Sequence, residues 1–163
     1  MNVLGLDLST VSTGWAIVDE NIKLVDKGII DFVSKTPHKE RMVILSELIQ
    51  EVLDKNDIGM VVIEDTYVAK NVATTKLLNK YSGVAIYTVY KKCPDTCDIA
   101  VLSPQTIRSA HFPKSKKQQT KEYMYHYIVN KFSLPPETVN DLTDAIAAAC
   151  TPHLKEIDSK WLM

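Results

Sequence analysis

The segment Val3-Leu-Gly-Leu-Asp7-Leu-Ser-Thr-Val-Ser-Thr13-Gly14-Trp-Ala-Ile-Val18 sets the architecture of this chain. An apolar run, a short segment rich in Ser, Thr and Gly, and a second apolar run are typical of an antiparallel β-hairpin. Asp7 breaks this pattern, because a carboxylate in an apolar strand is costly to bury unless it meets a cation. We therefore interpret Asp7 either as a cation ligand or as a residue that caps the turn through backbone amides.

The composition predicts one globular domain over residues 1–163, long enough to bury a core without disulfides. No apolar run approaches the roughly 20 residues that span a bilayer, and the N-terminus lacks the pattern of a signal peptide. The three cysteines, Cys93, Cys97 and Cys150, are typical of a reducing compartment. These features predict a cytoplasmic protein with no membrane partner.

The net charge of −1 argues against a protein that binds polyanions over its whole surface. The charge is nevertheless uneven, since residues 105–131 are locally positive. Such a run is typical either of a nucleic-acid contact or of a solvated helix face. The basic side chains of this segment are Arg108, Lys114, Lys116, Lys117, Lys121 and Lys131.

Apolar alternation predicts three consecutive strands at residues 2–8, 13–20 and 23–34, which form an antiparallel meander. Continuous apolar runs at residues 59–63 and 99–102 predict two strands buried on both faces. Helices alternate with the later strands. The sequence thus predicts an α/β fold with a five-stranded mixed sheet, a meander plus parallel strands, and helices on both faces.

Helical spacing predicts a first helix with Thr36 as N-cap and Pro37 at its first position, ending near Lys55. Further helices are expected over residues 69–92, 118–131 and 140–160, and a short one after Ser103-Pro104. Gly83 inside the second of the long helices indicates close packing against another helix.

Four acidic residues occupy the ends of core elements, where an apolar residue is usual. Asp7 and Glu64 end strands that can be neighbours, and Asp141 and Asp144 share one face of a helix. Clustered carboxylates repel one another unless cations neutralise them, and hard oxygen ligands suit Mg²⁺ or Mn²⁺. Each also has an ordinary explanation: helix-dipole compensation for Asp141 and Asp144, and a salt bridge to a lysine for Glu64.

At these residues the chain resembles the RuvC-type Holliday junction resolvases of the ribonuclease H-like superfamily, with a phage-type member as one interpretation. The matching pieces cover nearly the whole chain. They are Gly5-Leu-Asp7 with Thr13-Gly14, Val62-Ile-Glu64-Asp-Thr-Tyr67-Val-Ala-Lys-Asn71, Gly83-Val-Ala-Ile86 and Asp141-Leu-Thr-Asp144-Ala-Ile-Ala147.

The resemblance implies that Asp7, Glu64, Asp141 and Asp144 bind two Mg²⁺ ions per site, with Mn²⁺ as a substitute. It places Arg108 and Lys121 near the cleaved phosphate, with Lys117 as an alternative to Lys121. Tyr67 falls on the aromatic residue that probes the junction, although ordinary half-buried packing is also typical of Tyr. The family's glycine-rich loop before the second basic residue is absent here. The segment in its place contains the candidate DNA contacts Lys114, Lys116 and Lys117.

The implied activity is that of a Mg²⁺-dependent endodeoxyribonuclease that resolves Holliday junctions by paired cuts. Two ions roughly 3.5–4 Å apart promote in-line attack of water on the phosphodiester and leave a 5′-phosphate and a 3′-hydroxyl. Four-way junctions, and forks and flaps beside them, are the expected partners. Because a junction is nearly two-fold symmetric, we expect a homodimer, and the helix near residues 70–90 resembles the family's dimerisation helix; its small residues would equally pack that helix on its own sheet.

Two other functions compete with this one. Asp7-Leu-Ser-Thr-Val-Ser-Thr-Gly14 also resembles the first phosphate loop of the actin and sugar-kinase superfamily, although a second Gly-rich loop is missing. A non-catalytic scaffold that binds DNA junctions is the third hypothesis, and the presence of all four carboxylates argues against it. Turnover of ATP and Mg²⁺-dependent nicking of a junction distinguish the three.

Overall fold

The computed structural model describes residues 1–65 and 71–163 of the chain. The strands are β1 (Asn2–Leu8), β2 (Ser12–Val18), β3 (Leu24–Asp31), β4 (Ile58–Glu64) and β5 (Asp98–Leu102). The α-helices of the described residues are α1 (His38–Lys55), α2 (Val72–Lys92), α3 (Pro104–His111), α4 (Lys121–Lys131) and α5 (Asn140–Leu154). Single 3₁₀ turns lie at Lys116–Gln118 and Ser159–Trp161.

The strands form one mixed sheet in the order β3-β2-β1-β4-β5. The first three strands are an antiparallel meander, and β4 and β5 are added parallel to β1. Asp7 pairs with Gly14 across the hairpin, and Leu6 lies beside Ile63 of β4. The carboxyl ends of β1 and β4 therefore meet at one edge of the sheet, which confirms the predicted five-stranded architecture.

Helices cover both faces of the sheet, because the central strands are apolar on both sides. Val3, Val62 and Leu102 belong to the cluster under α3, α4 and α5, whereas Leu4, Val61 and Ile99 belong to the cluster under α1 and α2. In the described part of the chain, none of the helices is long and apolar enough to cross a lipid bilayer.

Two glycines let α5 lie directly on the hairpin. A Cβ built on Gly5 would stand 2.1 Å from the carbonyl oxygen of Ala145, and one built on Gly14 would stand 2.1 Å from that of Asp141. Both contacts are with backbone atoms, which do not move aside. Three alanines of α5, Ala145, Ala148 and Ala149, are fully buried.

Several helix ends differ from the sequence prediction. Helix α1 begins at His38 and Pro37 holds the N-cap position without a side-chain cap, so the prediction of a Thr36 cap is wrong. Helix α4 begins at Lys121, because the Thr120 side chain accepts a hydrogen bond from the amide of Tyr123 and starts a new helix after a separate 3₁₀ turn. Helix α5 ends at Leu154, short of residue 160, since the apolar repeat stops there and Asp158 caps a further 3₁₀ turn.

The predicted packing of Gly83 against another helix does not occur among the described residues of the chain. A Cβ built on Gly83 would meet nothing within 4 Å among the described residues. Ala85, two positions later, is fully buried against the sheet side. Gly83 therefore lies on the outer surface of α2, whereas Ala85 packs that helix on its own core.

Candidate active site

Four carboxylates from three elements meet at the edge where β1 and β4 end. Asp7 is the second-last residue of β1, Glu64 is the last of β4, and Asp141 and Asp144 lie in the first turns of α5. Helix α5 crosses β1 and β2 at the glycine contacts described above, which brings its N-terminal end over the hairpin. The sheet thus positions two of the acids and the helix the other two.

Burial and mutual repulsion raise the pKa of both strand carboxyls. The pKa of Asp7 is raised to about 8, first by burial and then by the negative charges of Glu64, Asp144 and Asp141. The pKa of Glu64 is raised to about 7, again by burial first and then by Asp144. Carboxyls distant in the chain thus share one electrostatic environment.

Lys121 provides a positive charge at the cluster. Its Nζ lies 2.8 Å from Asp144 Oδ2 in an ion pair that joins the start of α4 to α5. Partial burial lowers the pKa of Lys121, but the contact with Asp144 and the charges of Asp7 and Glu64 outweigh that effect and leave it above its usual value. Burial raises the pKa of Asp144 although Lys121 opposes it.

Arg108, on α3, is the second cation of the cluster. Its charge lowers the pKa of both Glu64 and Asp144, so its guanidinium lies within electrostatic reach of the acids. Arg108 Nε is buried and has no hydrogen-bond partner in the described residues. Of the two alternatives for an active-site lysine, the structure brings Lys121 to the acids, whereas Lys117 is an exposed residue of the 3₁₀ turn before α4.

Asp141 has a partner that sequence reasoning missed. The Ser12 hydroxyl donates a hydrogen bond to Asp141 Oδ2, linking the first residue of β2 to the first turn of α5. A serine at the start of a strand carries no signal of this role by itself. Only the approach of Gly14 to α5 brings the two residues together.

The donor set suits hard divalent cations, since carboxylate oxygens are the ligands that Mg²⁺ and Mn²⁺ prefer. Among the described residues, four carboxylates face two basic side chains, so full ionisation of this set leaves an excess of two negative charges for a cation to offset. In the two described segments, no three His, Cys, Asp or Glu side chains converge tightly enough to hold an ion as they stand. Instead, the Ser12 hydroxyl donates a hydrogen bond to one oxygen of Asp141, and Lys121 Nζ forms an ion pair with one oxygen of Asp144.

Two pockets, of about 430 and 730 Å³, lie along the surface of α4. The larger is a groove lined by Lys121 and Asp141 together with Tyr125, His126 and Asn140. The predicted DNA contacts Lys114, Lys116 and Lys117 are exposed in the segment that precedes α4. Tyr67, the predicted junction-probing residue, lies outside the described residues.

The fold and the site together define a ribonuclease H-like α/β protein with a carboxylate cluster at the ends of its two central strands. Residues 3–153 match the family described as "Crossover junction endodeoxyribonuclease RuvC". The chain belongs to the RuvC family of crossover junction endodeoxyribonucleases.

Members of this family are similar in sequence to the chain over nearly their whole length. The RuvC of Ehrlichia ruminantium (strain Welgevonden) is 31% identical over 156 residues, which cover 91% of this chain and 94% of that protein. The RuvC of Rickettsia akari (strain Hartford) is 29% identical over 163 residues, which cover 96% of this chain and 99% of that protein. The structure of T. thermophilus RuvC in complex with a Holliday junction substrate has the same fold, with a TM-score of 0.80 at 17% identity, over 94% of this chain and 93% of that one.

Proposed function

We propose that this protein is a structure-selective endodeoxyribonuclease that resolves Holliday junctions by metal-dependent hydrolysis of paired phosphodiesters. The observation that carries the proposal is the coupled cluster of Asp7, Glu64, Asp141 and Asp144, with Lys121 and Arg108 beside it, in a chain of the RuvC family. The related proteins are named crossover junction endodeoxyribonucleases, which is the activity assigned here to this chain.

The four carboxylates would hold two divalent cations, Mg²⁺ or, in its place, Mn²⁺. When bound, these ions supply a nucleophile at neutral pH and offset charge on the leaving 3′ oxygen. The raised pKa values of Asp7 and Glu64 support this role, because carboxyls that repel one another in a buried site are the groups that a cation stabilises most.

Lys121 and Arg108 act on the phosphate rather than on the ions. Their positive charges, already directed at the acidic cluster, offset the charge that develops on the phosphoryl oxygens as water attacks. Asp144 orients the Lys121 ammonium through the ion pair. The products are a 5′-phosphate and a 3′-hydroxyl, which a ligase can reseal.

Branched DNA binds along the positive surface that leads to the cluster. The exposed side chains of Lys114, Lys116 and Lys117 contact phosphates, and the groove beside α4 accepts a strand next to Lys121. Tyr67 remains a prediction, as a residue that stacks on an unpaired base at the branch point. Forks and flaps are further substrates, because they present the same branch.

The active form is a homodimer that joins through the outer face of α2. Tyr87 and Tyr90 are each 63% exposed there, and the space above Gly83 is open in the described structure. Exposed aromatic side chains on one helix face are typical of a protein interface. Two sites related by a two-fold axis fit the near symmetry of a four-way junction. We further propose that residues 1–163 form one catalytic domain and that it acts in the cytoplasm.

The test is cleavage of a four-way DNA junction with Mg²⁺ by the wild-type protein and by Asp7→Asn. The wild type should produce paired nicks that a ligase reseals, and linear duplex of the same sequence should remain intact. Asp7→Asn should bind the junction in Ca²⁺ without cutting it. Binding without cleavage by the wild type would favour a scaffold, and hydrolysis of ATP would favour a kinase-like protein.

A further inference from the structure

A partly buried hydrogen bond joins Ser12 of β2 to Asp141 of α5. Ser12 is only 9% exposed, and its hydroxyl donates a hydrogen bond to Asp141 Oδ2, a residue 129 positions away in the sequence. A buried hydroxyl that donates to a carboxylate is a charge-assisted hydrogen bond, which fixes the carboxylate's orientation. Ser12 thus holds one oxygen of a residue proposed as a metal ligand.

The β1–β2 turn fixes the position of Ser12. The Ser9 hydroxyl donates a hydrogen bond to the carbonyl oxygen of Ser12 at 2.9 Å and accepts one from the Ser12 amide at 3.0 Å. The Ser9 amide donates to the same Ser12 carbonyl at 3.0 Å. The turn is therefore closed by its own hydrogen bonds, and the Ser12 hydroxyl, 3.4 Å from the Ser9 hydroxyl, faces Asp141 of α5.

Arg41 anchors this turn from the opposite side. Its guanidinium, on α1, donates to the carbonyl oxygens of Thr10 in the turn and of Val33, Ser34 and Thr36 before α1. Arg41 is only 6% exposed, and no carboxylate in residues 1–65 or 71–163 forms an ion pair with it. A buried cation is costly to desolvate, and here four backbone carbonyls and the Phe32 ring, whose centre lies 5.9 Å from the guanidinium carbon, stabilise it.

We propose that Ser12 is a positioning residue for Asp141, and that Arg41 holds the turn that presents it. This inference rests on the proposed metal-dependent function. The path is continuous: Arg41 fixes the Thr10 carbonyl, the turn fixes Ser12, and the Ser12 hydroxyl fixes the Asp141 carboxylate for the cation. Partners that orient a metal ligand in this way typically change metal affinity about 10–100-fold when removed.

The test is calorimetric titration of Mn²⁺ into the DNA-free protein, so that its readout is independent of cleavage. Ser12→Ala should weaken Mn²⁺ binding about tenfold or more, and Ser12→Thr, which keeps the hydroxyl, should restore affinity to within about threefold. The matched control is Thr13→Val, because Thr13 Oγ1 is buried next door with no hydrogen-bond partner among the described residues. Its Mn²⁺ affinity should equal that of the wild type.

Equal Mn²⁺ affinities for Ser12→Ala and the wild type would overturn the proposal, as would an equal loss in Thr13→Val or a failure of Ser12→Thr to restore binding. Arg41→Lys keeps the charge and loses the guanidinium fork, so it should weaken Mn²⁺ binding as well. The double variant that combines Ser12→Ala with Arg41→Lys should then bind Mn²⁺ no more weakly than the single variant with the lower Mn²⁺ affinity. Independent, additive losses would remove Arg41 from the path.

Junction cleavage separates this inference from the proposed function. A wild-type protein that binds Mn²⁺ with the predicted dependence on Ser12 but leaves four-way junctions intact would defeat the proposed function and support the positioning role. A wild-type protein that cuts junctions, with Ser12→Ala needing the same Mg²⁺ concentration for half-maximal rate, would defeat only the positioning role.

Discussion

Lys121 and Asp144 form an ion pair of 2.8 Å between Nζ and Oδ2, which ties the first residue of α4 to the second turn of α5. This contact places one ammonium group at the acidic cluster, whereas the neighbouring Lys117 lies on the exposed 3₁₀ turn before α4. The structure thereby separates two lysines that lie four positions apart in the sequence.

Lys121→Met should lower the rate of junction cleavage about 10²–10³-fold while junction affinity in Ca²⁺ changes little, because the ammonium stabilises charge that develops during reaction. Single-turnover nicking rates and a gel-shift titration measure the two effects. Lys117→Met is the matched control, and its single-turnover cleavage rate with saturating protein should stay within about twofold of the wild type, because Lys117 is proposed to affect junction affinity rather than the reaction step. A larger rate loss in Lys117→Met would reverse the assignment of the two lysines.

The stability of the metal-free protein should fall as the pH rises. The folded state raises the pKa of Asp7 from 3.8 to about 8 and that of Glu64 from 4.5 to about 7. Between about pH 4 and pH 8 the folded state therefore binds more protons than the unfolded state, so the free energy of unfolding decreases across this window. Urea denaturation in EDTA at several pH values measures the slope.

Asp7→Asn should flatten this slope, because the amide does not titrate, and should raise stability in EDTA at pH 8. Mg²⁺ should stabilise the wild type most at that pH, since the carboxylates are then ionised. A wild-type protein that gains stability from pH 5 to pH 8 in EDTA would contradict the electrostatic coupling of Asp7 and Glu64.

Gly5→Ala should cost about 3 kcal/mol or more of unfolding free energy, because its Cβ would stand 2.1 Å from the backbone oxygen of Ala145. Chemical denaturation measures the loss. Gly83→Ala adds the same methyl group where none of the described residues of the chain lies within 4 Å, so it should be neutral or gain up to about 1 kcal/mol from helix propensity. Equal losses in the two variants would argue against the close contact of α5 with β1.

Replacement of Lys114, Lys116 and Lys117 by Ala should weaken junction binding and reduce its dependence on salt. Removing one lysine–phosphate interaction lowers the slope of log affinity against log salt by about 0.9, so the slope should fall by about 2–3. Lys23, Lys27 and Lys55 are exposed lysines outside this segment, and their triple replacement by Ala is the control of equal charge. Equal slopes for the two triple variants would exclude residues 114–117 as the DNA-binding segment.

Tyr90→Glu should convert the protein from dimer to monomer, because it places a charge on the exposed face of α2. Light scattering after size-exclusion chromatography gives the mass in solution. Tyr123→Glu changes a tyrosine that is 43% exposed on α4 and serves as the control, which should remain dimeric. A wild-type mass of one chain would contradict the proposed homodimer.

The pattern of residues along the chain was enough to specify the sheet and two of its acids. Apolar alternation and continuous apolar runs specify which segments form strands, and the carboxyl ends of parallel neighbours meet at one edge, so Asp7 and Glu64 were predictable as a pair. Helix ends were less accurately predicted, as α5 shows, because capping and the loss of an apolar partner decide where a helix stops.

The choice of side chains that serve the cluster depended on the packed fold. Lys121 reaches Asp144, Ser12 reaches Asp141, and Arg41 reaches the Thr10 carbonyl only after α5 and α1 pack on opposite sides of the hairpin. No periodicity records such contacts, because they join positions as far apart as 12 and 141 through the close approach of two backbones at Gly5 and Gly14. Local patterns fix local structure, whereas the orientation of a carboxylate depends on whatever the fold places beside it.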